Sequence, residues 1–413
     1  MQSDLSTVPP DDAPVEHRLQ FTGTGGEYFR IWIVNLLFSI LTFGIYSAWA
    51  KVRREQYFHR NTLLDGSGFD YHGDPKAILK GRIIAVALLF ILSLVERMAH
   101  DFYYPVVLVA SPLVPWLMIR SFIFRSRNTS FRSLHFDFRG TYKGLCKAYL
   151  VPFIVFIALA WAMVYALGMI SMELMASKIG MPGIVCERYP YIACDARHII
   201  MNALLWGSLL GVFLLVPVLL YRFKAFQFNH LAFGASRFES RFKLRSFYGI
   251  YLRVFVLTPF LVGLVFTPIL IGLSVLAGIT SAQPPTAATT SVMPVVIFLA
   301  GLLYITILVV FPAWFAALLT NLVWNNTCLG RHSFKSDQTF WGVFRIVVGN
   351  LLLMLITLGL YWPWAKVKIA RYRIEHAALL AVGSLDDFVA GATREKSAIG
   401  EEVADIFDFD IAF

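Results

Sequence analysis

Apolar positions in this chain come in long unbroken windows. Uncharged stretches run through Ile31–Ala50, Phe102–Ile119, Ala148–Met172, Ile199–Tyr221 and Ile346–Ala365, and from Val254 to Gly330 there is no Asp, Glu, Lys, Arg or His. Each window matches the roughly 20 apolar residues that a helix needs to cross a bilayer, and the longest holds two such spans. Ile83–Val95 is shorter, but Lys80 and Arg82 at its start can bury their stems and reach for water, which lengthens it. Between the windows the period changes. GFDYHG at 68–73 and LHFDFRG at 134–140 alternate apolar with polar residues and read as short β-strands.

The windows close on a recurring phrase. Residues 42–52 read TFGIYSAWAKV and residues 357–367 read TLGLYWPWAKV. A fixed interval of 12 separates Trp49 from Asn61, Trp116 from Asn128, Trp314 from Asn326 and Trp364 from His376, and Pro217 keeps the same interval to Asn229. Beyond these come Phe69, Phe136, Phe238 and Phe334 in the alternating stretches. The spacing predicts five copies of one module, at 21–61, 69–128, 136–229, 238–326 and 334–376, between an N-terminal tail at 1–20 and an acidic cytoplasmic tail at 377–413.

Modules two to four are long enough for full helical hairpins, at 78–124, 145–221 and 254–320. The first and last are too short. From Arg30 to Thr42 a helix rises only about 18 Å, against a hydrocarbon core of roughly 30 Å. A Thr-x-Gly turn follows, and both ends carry basic residues. These two are therefore expected to be re-entrant, dipping into the bilayer from the cytoplasm and returning. The expected fold is an all-α polytopic membrane protein of five helical-hairpin repeats, with a small cytoplasmic β-sheet built from the connectors.

Composition agrees with a membrane class. The 413 residues are 58% hydrophobic and 15% charged, where soluble domains carry about 25% charged residues. The net charge of +10 is unevenly spread: segments 51–82, 120–147, 222–253, 331–345 and 366–373 hold 28 of the 36 Lys and Arg. The positive-inside rule puts that set, and both termini, in the cytoplasm. Basic blocks beside apolar spans fit anionic phospholipid headgroups rather than nucleic acid. The polar, acidic first 27 residues predict no cleaved signal peptide.

The phrase TxGxYxxWAKV, the connector NTLLDGSGFDYHGD (61–74) and the terminal GEEVADIFDFDIAF (400–413) resemble the YjgN-like family of bacterial inner-membrane proteins, over nearly the whole chain from Phe21 onward. The resemblance implies a bacterial multi-pass inner-membrane protein and no activity, since the family's domain is one of unknown function. One departure is Ser47–Ala48, where the second copy has Trp362–Pro363, the commoner form.

No enzyme signature occurs: Gly-x-Ser-x-Gly, His-Glu-x-x-His and the phosphate-binding Gly-x4-Gly-Lys pattern are absent from the sequence. TGTGGE at 22–27 lacks the rest of a dinucleotide fingerprint and reads as a linker. Six of nine histidines fall in the connectors without ligand spacing, so no metal, cofactor or catalytic residue is expected. Cys186 and Cys194, in the outside loop, are candidates for a disulfide. The matched positions Asn35/Asn350, Thr42/Thr357, Gly44/Gly359 and Tyr46/Tyr361 are the candidate substrate-binding set. Broken helices in the two halves of a repeat protein point to a midplane site for a small polar solute or ion in a transporter or channel-like protein. The other reading is a non-catalytic lipid- or protein-binding scaffold, with Lys51, Arg53, Arg54, Arg125, Arg127, Lys366 and Lys368 at headgroups, a soluble partner for the acidic tail, and self-association of the chain as an open question. The two separate on one observation: a polar cavity reaching the matched residues, or dry packing around them.

Overall fold

The computed structural model describes residues 14–98, 113–178, 194–234, 236–257, 287–386 and 388–393, with isolated positions at 106–110 and 260–272. Its contacts divide into two units, one comprising 1–140, 227–242 and 249–413 and the other 141–226 with 243–248.

The first unit holds a large sheet. Strands β1 (Val15–Arg18) and β2 (Gln20–Phe21) come first. Four hairpins follow: β3 (Thr62–Leu64) with β4 (Ser67–Tyr71), β5 (Thr129–Phe131) with β6 (Leu134–Phe138), β7 (Leu231–Phe233) with β8 (Ser236–Ser240), and β9 (Thr327–Leu329) with β10 (His332–Ser336). The last strand is β11 (Ala377–Ala381). All eleven join one antiparallel sheet in the order β1-β11-β10-β9-β8-β7-β6-β5-β4-β3-β2. Its two end strands are consecutive in the chain and separated only by Leu19, whose N–H donates to Ala377 O at 3.0 Å. One bent strand thus pairs with β11 through its first half and with β3 through its second, and the sheet all but closes into a barrel.

This corrects the expected fold. The chain is not all-α with a small sheet, because each connector supplies a two-stranded hairpin and both flanks supply strands as well. The physical reason is economy of edges: a few isolated hairpins would leave rows of unpaired N–H and C=O groups, whereas closure removes them. The two-residue turns are built for this. Asp65–Gly66 have φ of 51° and 70°, and Arg132–Ser133 have 48° and 67°. A pair of left-handed residues gives the turn whose twist suits a tight hairpin.

Period-two alternation sends one row of side chains inward. Phe131, Leu134, Phe233, Phe238, Leu329 and Leu379 are buried, with Phe69, Phe136 and Phe334 packed against them. The neighbouring polar positions face out and pair: Arg60 Nε donates to Asp70 at 2.9 Å, and Arg127 Nε to Asp137 at 3.4 Å. At one end of the barrel, helical residues 385–386 and 388–393 present Leu385, Val389 and Ala392 to the interior with the i, i+4, i+7 spacing of one helix face. Phe388 lies against His332, ring centroids 4.3 Å apart, and Arg132 bonds both Asp65 and Asp386.

His332 Nδ1 accepts the Val382 N–H at 3.2 Å, which requires a neutral ring. Burial lowers its pKa below the ordinary 6.5. A lowered pKa means that His332 takes up a proton at higher pH when the segment is released than when it is docked. Docking is therefore fully favoured above 6.5 and weakens as pH falls below 6.5 toward the folded value. After correction for intrinsic exchange, amides at 382–393 should exchange faster at pH 5.5 than at pH 7.5, and His332→Gln should flatten that difference; equal protection at both pH values in the parent protein would refute the assignment.

Five excursions leave this sheet and return to it, each closed by the same kind of backbone bond. Thr22 N donates to Asn61 O, His72 N to Asn128 O, Arg139 N to His230 O, Arg241 N to Asn326 O and Asp337 N to His376 O, at 2.8–3.2 Å. The first excursion is α1 (Gly25–Leu41) and α2 (Ser47–Arg60), the second includes α3 (Pro75–Met98) and α4 (Leu113–Arg127). The third is α5 (Tyr142–Lys178) and α6 (Cys194–Asn229). The fourth begins with α7 (Leu244–Leu252), continues into a π turn at Arg253–Leu257, and returns as α8 (Ala287–Asn325). The fifth is α9 (Phe340–Ile356) and α10 (Trp362–Glu375).

Four helical stretches are long and apolar enough to span a bilayer: Pro75–Met98, Tyr142–Met172, Ile199–Asn229 and Leu308–Asn325. Their outward faces are apolar, with Ile83, Val86, Leu89 and Phe90 all exposed. The expected arms at 102–119 and beyond 257 fall partly outside the described residues. The second unit packs α5 on α6: Arg222 Nη1 donates to Ala148 O at 2.8 Å, and Gly211 lets Leu159 approach closely.

Candidate functional site

The matched residues of the two Thr-x-Gly phrases build a turn. Thr42 Oγ1 donates to Phe38 O at 2.7 Å and accepts from Tyr46 N at 2.9 Å; Thr357 does the same with Leu353 O at 2.7 Å and Tyr361 N at 3.1 Å. Each threonine thereby satisfies the end of one helix and holds the start of the next. Gly44 and Gly359 both have φ of 89°, a conformation that costs a side chain dearly. Tyr46 stacks on Trp49 and Tyr361 on Trp364, with centroids 6.1 and 5.8 Å apart. The tips are bare: Phe43 is 98% exposed and Leu358 94%.

Asn35 and Asn350 are buried, and Asn350 Nδ2 points at Ala365 O, 3.5 Å away. The first and last excursions pack on each other: Phe29 stacks on Trp364 at 4.8 Å, and Arg371 donates to Gly23 O at 2.9 Å. Tyr57 donates to Thr24 O at 2.8 Å; burial and the neighbouring Glu27 carboxylate push its pKa up to about 12, so it stays a neutral donor.

Open space lies elsewhere, where the returning helices meet the barrel. One cavity of about 380 Å³ is bounded by the last turns of α2, α4 and α6 and by the strands beneath them. A second, of about 150 Å³, occupies the barrel interior above Leu385, Phe388 and Val389. Leu19, Phe69 and Phe136 line both. The larger falls within the roughly 300–1,000 Å³ of small-molecule sites. Six phenylalanines and two leucines line it beside six polar residues, His59, Thr62, Arg125, Ser126, Thr129 and Gln227. His59, Ser126 and Gln227 each stand two residues before the connector asparagine, as Trp324 does in the inner cavity. Of the candidate site residues read from the sequence only Arg125 touches either cavity, but the connector phenylalanines Phe69, Phe136, Phe238 and Phe334 line them too; the two-before-asparagine positions carry no shared chemistry that marks them in the sequence.

The basic residues part into two groups. Arg53 lies over Tyr46, Lys366 over Trp362 and Lys368 over Tyr361, at 5.8, 4.6 and 5.2 Å. Arg127 is held by Asp137. Lys51, half-buried, has its pKa lowered first by burial, then by Arg125, Arg82 and Arg54, with Glu55 opposing. Cys186 lies outside the described residues, while Cys146 and Cys328 are free thiols. Among the described residues no group of three or more His, Cys, Asp or Glu is placed to hold a metal.

Comparison with known proteins matches this chain along most of its length. It is 26% identical over 380 residues to inner membrane protein YjgN of Salmonella typhimurium, covering 90% of this chain and 89% of that one. It is 24% identical over 410 residues to the YjgN proteins of Escherichia coli O157:H7 and K12, covering 91% of each chain. No solved structure matches. The model of the family described as "Bacterial protein of unknown function (DUF898)" matches residues 16–406, and the chain belongs to that family.

Proposed function

We propose that this protein is a non-catalytic lipid-binding component of the bacterial inner membrane, which holds the apolar part of an amphiphile in the cavities at the mouth of its barrel. The observation that carries this reading is that a cavity among the helix ends adjoins a nearly all-apolar one inside the sheet, the two sharing Leu19, Phe69 and Phe136 as lining. Apolar space reached from helices that bear lipid suits an acyl chain, since a dry cavity gains by filling with hydrocarbon.

In this reading the sheet is cytoplasmic, with the basic helix ends at the inner leaflet and both termini on that side. The pairing of β1 with β11 supports a common side for the two ends. The first and last excursions are re-entrant: their helices of 17 and 14 residues are shorter than a span, and their bare apolar tips suit hydrocarbon. A five-fold module underlies the excursions, and the recurring closing bond supports it. The solute-pathway reading has lost its footing, because the matched threonines and glycines serve the turn and neither cavity is lined by them.

The test is photolabelling with a phospholipid carrying a diazirine in its acyl chain. Label should map to the segments around Phe69, Phe136 and Leu231, and Ser126→Trp, which fills the cavity, should cut that labelling by about tenfold, the equivalent of 1.4 kcal/mol. Label confined to the outer faces around Ile83 and Leu89, and unchanged by Ser126→Trp, would mean that the cavity takes no lipid.

A further inference from the structure

At the sheet, each outward arginine named above has its acid: Arg60 has Asp70, Arg127 has Asp137, and Arg132 has Asp65 and Asp386. Elsewhere on the same helices that balance fails. Ser47, Lys51 and Arg54 follow one another at i, i+4 and i+7 on a single face of α2. Arg82 of α3 reaches this face and donates to Ser47 Oγ. Arg125 of α4 lines the outer cavity beside Phe58 and His59 of α2. Glu55, the acid nearby, is engaged by Arg54 at 2.9 Å. Among the described residues Lys51, Arg82 and Arg125 have no carboxylate within ion-pair distance. Three cations gathered beside partly apolar surroundings repel one another, and holding them together without an anion costs stability.

We infer that Lys51, Arg82 and Arg125 form a site for a phosphate group, the head of an amphiphile whose tail lies in the adjoining cavity. The inference rests on the lipid-binding reading and adds the headgroup chemistry to it. Guanidinium forks match the paired oxygens of a phosphate, and an ammonium adds a compact third charge. Arg125 joins the two halves, since its side chain borders the apolar cavity while its charge acts on Lys51. A free phosphate compound would offer the same oxygens, so the test separates the two sources.

Native mass spectrometry of the intact protein, given equimolar phosphatidic acid and diacylglycerol with identical tails, isolates the phosphate. The wild type should retain phosphatidic acid about tenfold or more over diacylglycerol, as expected for charged hydrogen bonds. Lys51→Gln and Arg125→Gln should each erode that preference and together abolish it, with diacylglycerol retained as before. Arg127→Gln, already paired with Asp137, should leave it untouched. Both altered side chains are at least partly exposed, so loss of fold is not expected, and unchanged diacylglycerol retention verifies this. Equal retention of the two lipids by the wild type would overturn the phosphate site while leaving the cavity reading intact. If neither lipid is retained but calorimetry detects glycerol 3-phosphate, lost in the double variant, the amphiphile is overturned and the cations serve a soluble phosphate.

Discussion

Phe233→Ala should be the most damaging single substitution in the barrel, lowering stability by about 3–5 kcal/mol. Phe233 is 3% exposed and touches three other rings, with centroids 6.4 Å from Phe131, 4.8 Å from Phe136 and 6.1 Å from Phe388. It therefore ties two neighbouring hairpins to the terminal segment that stops the barrel. Removing the ring leaves a void beside a cavity that already exists, so little neighbouring structure can collapse to fill it. Phe233→Leu keeps most of the volume and should cost under about 1.5 kcal/mol. Denaturant titration of the detergent-solubilised protein, followed by Trp fluorescence, reads both. Similar midpoints for wild type and Phe233→Ala would show that the sheet does not depend on this cluster. A second readout is local: protection at 385–393 should fall in Phe233→Ala ahead of global unfolding, because Phe388 loses its partner.

The second large effect is expected from a single added methyl. A Cβ on Gly25 would stand 2.1 Å from Trp364 Cδ1, far inside any tolerable contact. Gly25→Ala must then expel the indole, which gives up its stacking on Phe29 and Tyr361. Overpacking costs about 1–3 kcal/mol and each lost aromatic pair about 0.5–1.5 kcal/mol more. The first and last excursions should come apart around Gly25 and Trp364 while the sheet stays closed. Trp364→Ala is damaging alone, but combined with Gly25→Ala it removes the collision, so the two should be strongly non-additive in a double-mutant cycle. Simple additivity of the two changes would mean that the helices do not meet at this point.

The helices were plain in the sequence because lipid demands long uncharged runs, and the matched phrases announced the reversal at Gly44 and Gly359. The connector phenylalanines also declared themselves, eight or nine residues past each asparagine. What escaped was the scale of the sheet. Its strands are two to five residues long, too short for alternation to stand out. Asp65–Gly66 is a tight-turn dipeptide that signals a hairpin where a lone strand was expected. Closure through Leu19 and the pairing of Val15–Arg18 with residues 378–381 join positions more than 350 apart, which local pattern cannot report. The cavity was hidden for a related reason. His59, Ser126 and Gln227 share no chemistry, only an interval, and three unlike side chains become one wall once three helix ends are gathered above the same strands.

The strand at Val15–Arg18 has consequences for biosynthesis. Its partner, Ala377–Ala381, leaves the ribosome more than 350 residues later, and the helix at Gly25–Leu41 likewise waits for Trp362–Glu375. Val15–Arg18 thus go without their neighbours while more than 350 further residues are made, and the ring is sealed only after Ala381 has emerged. Such long-range closure is slow and leaves exposed edges for quality-control proteases to find. Nascent chains arrested before residue 377 should accordingly be cut near Val15 by added protease, and those arrested after release of β11 should resist.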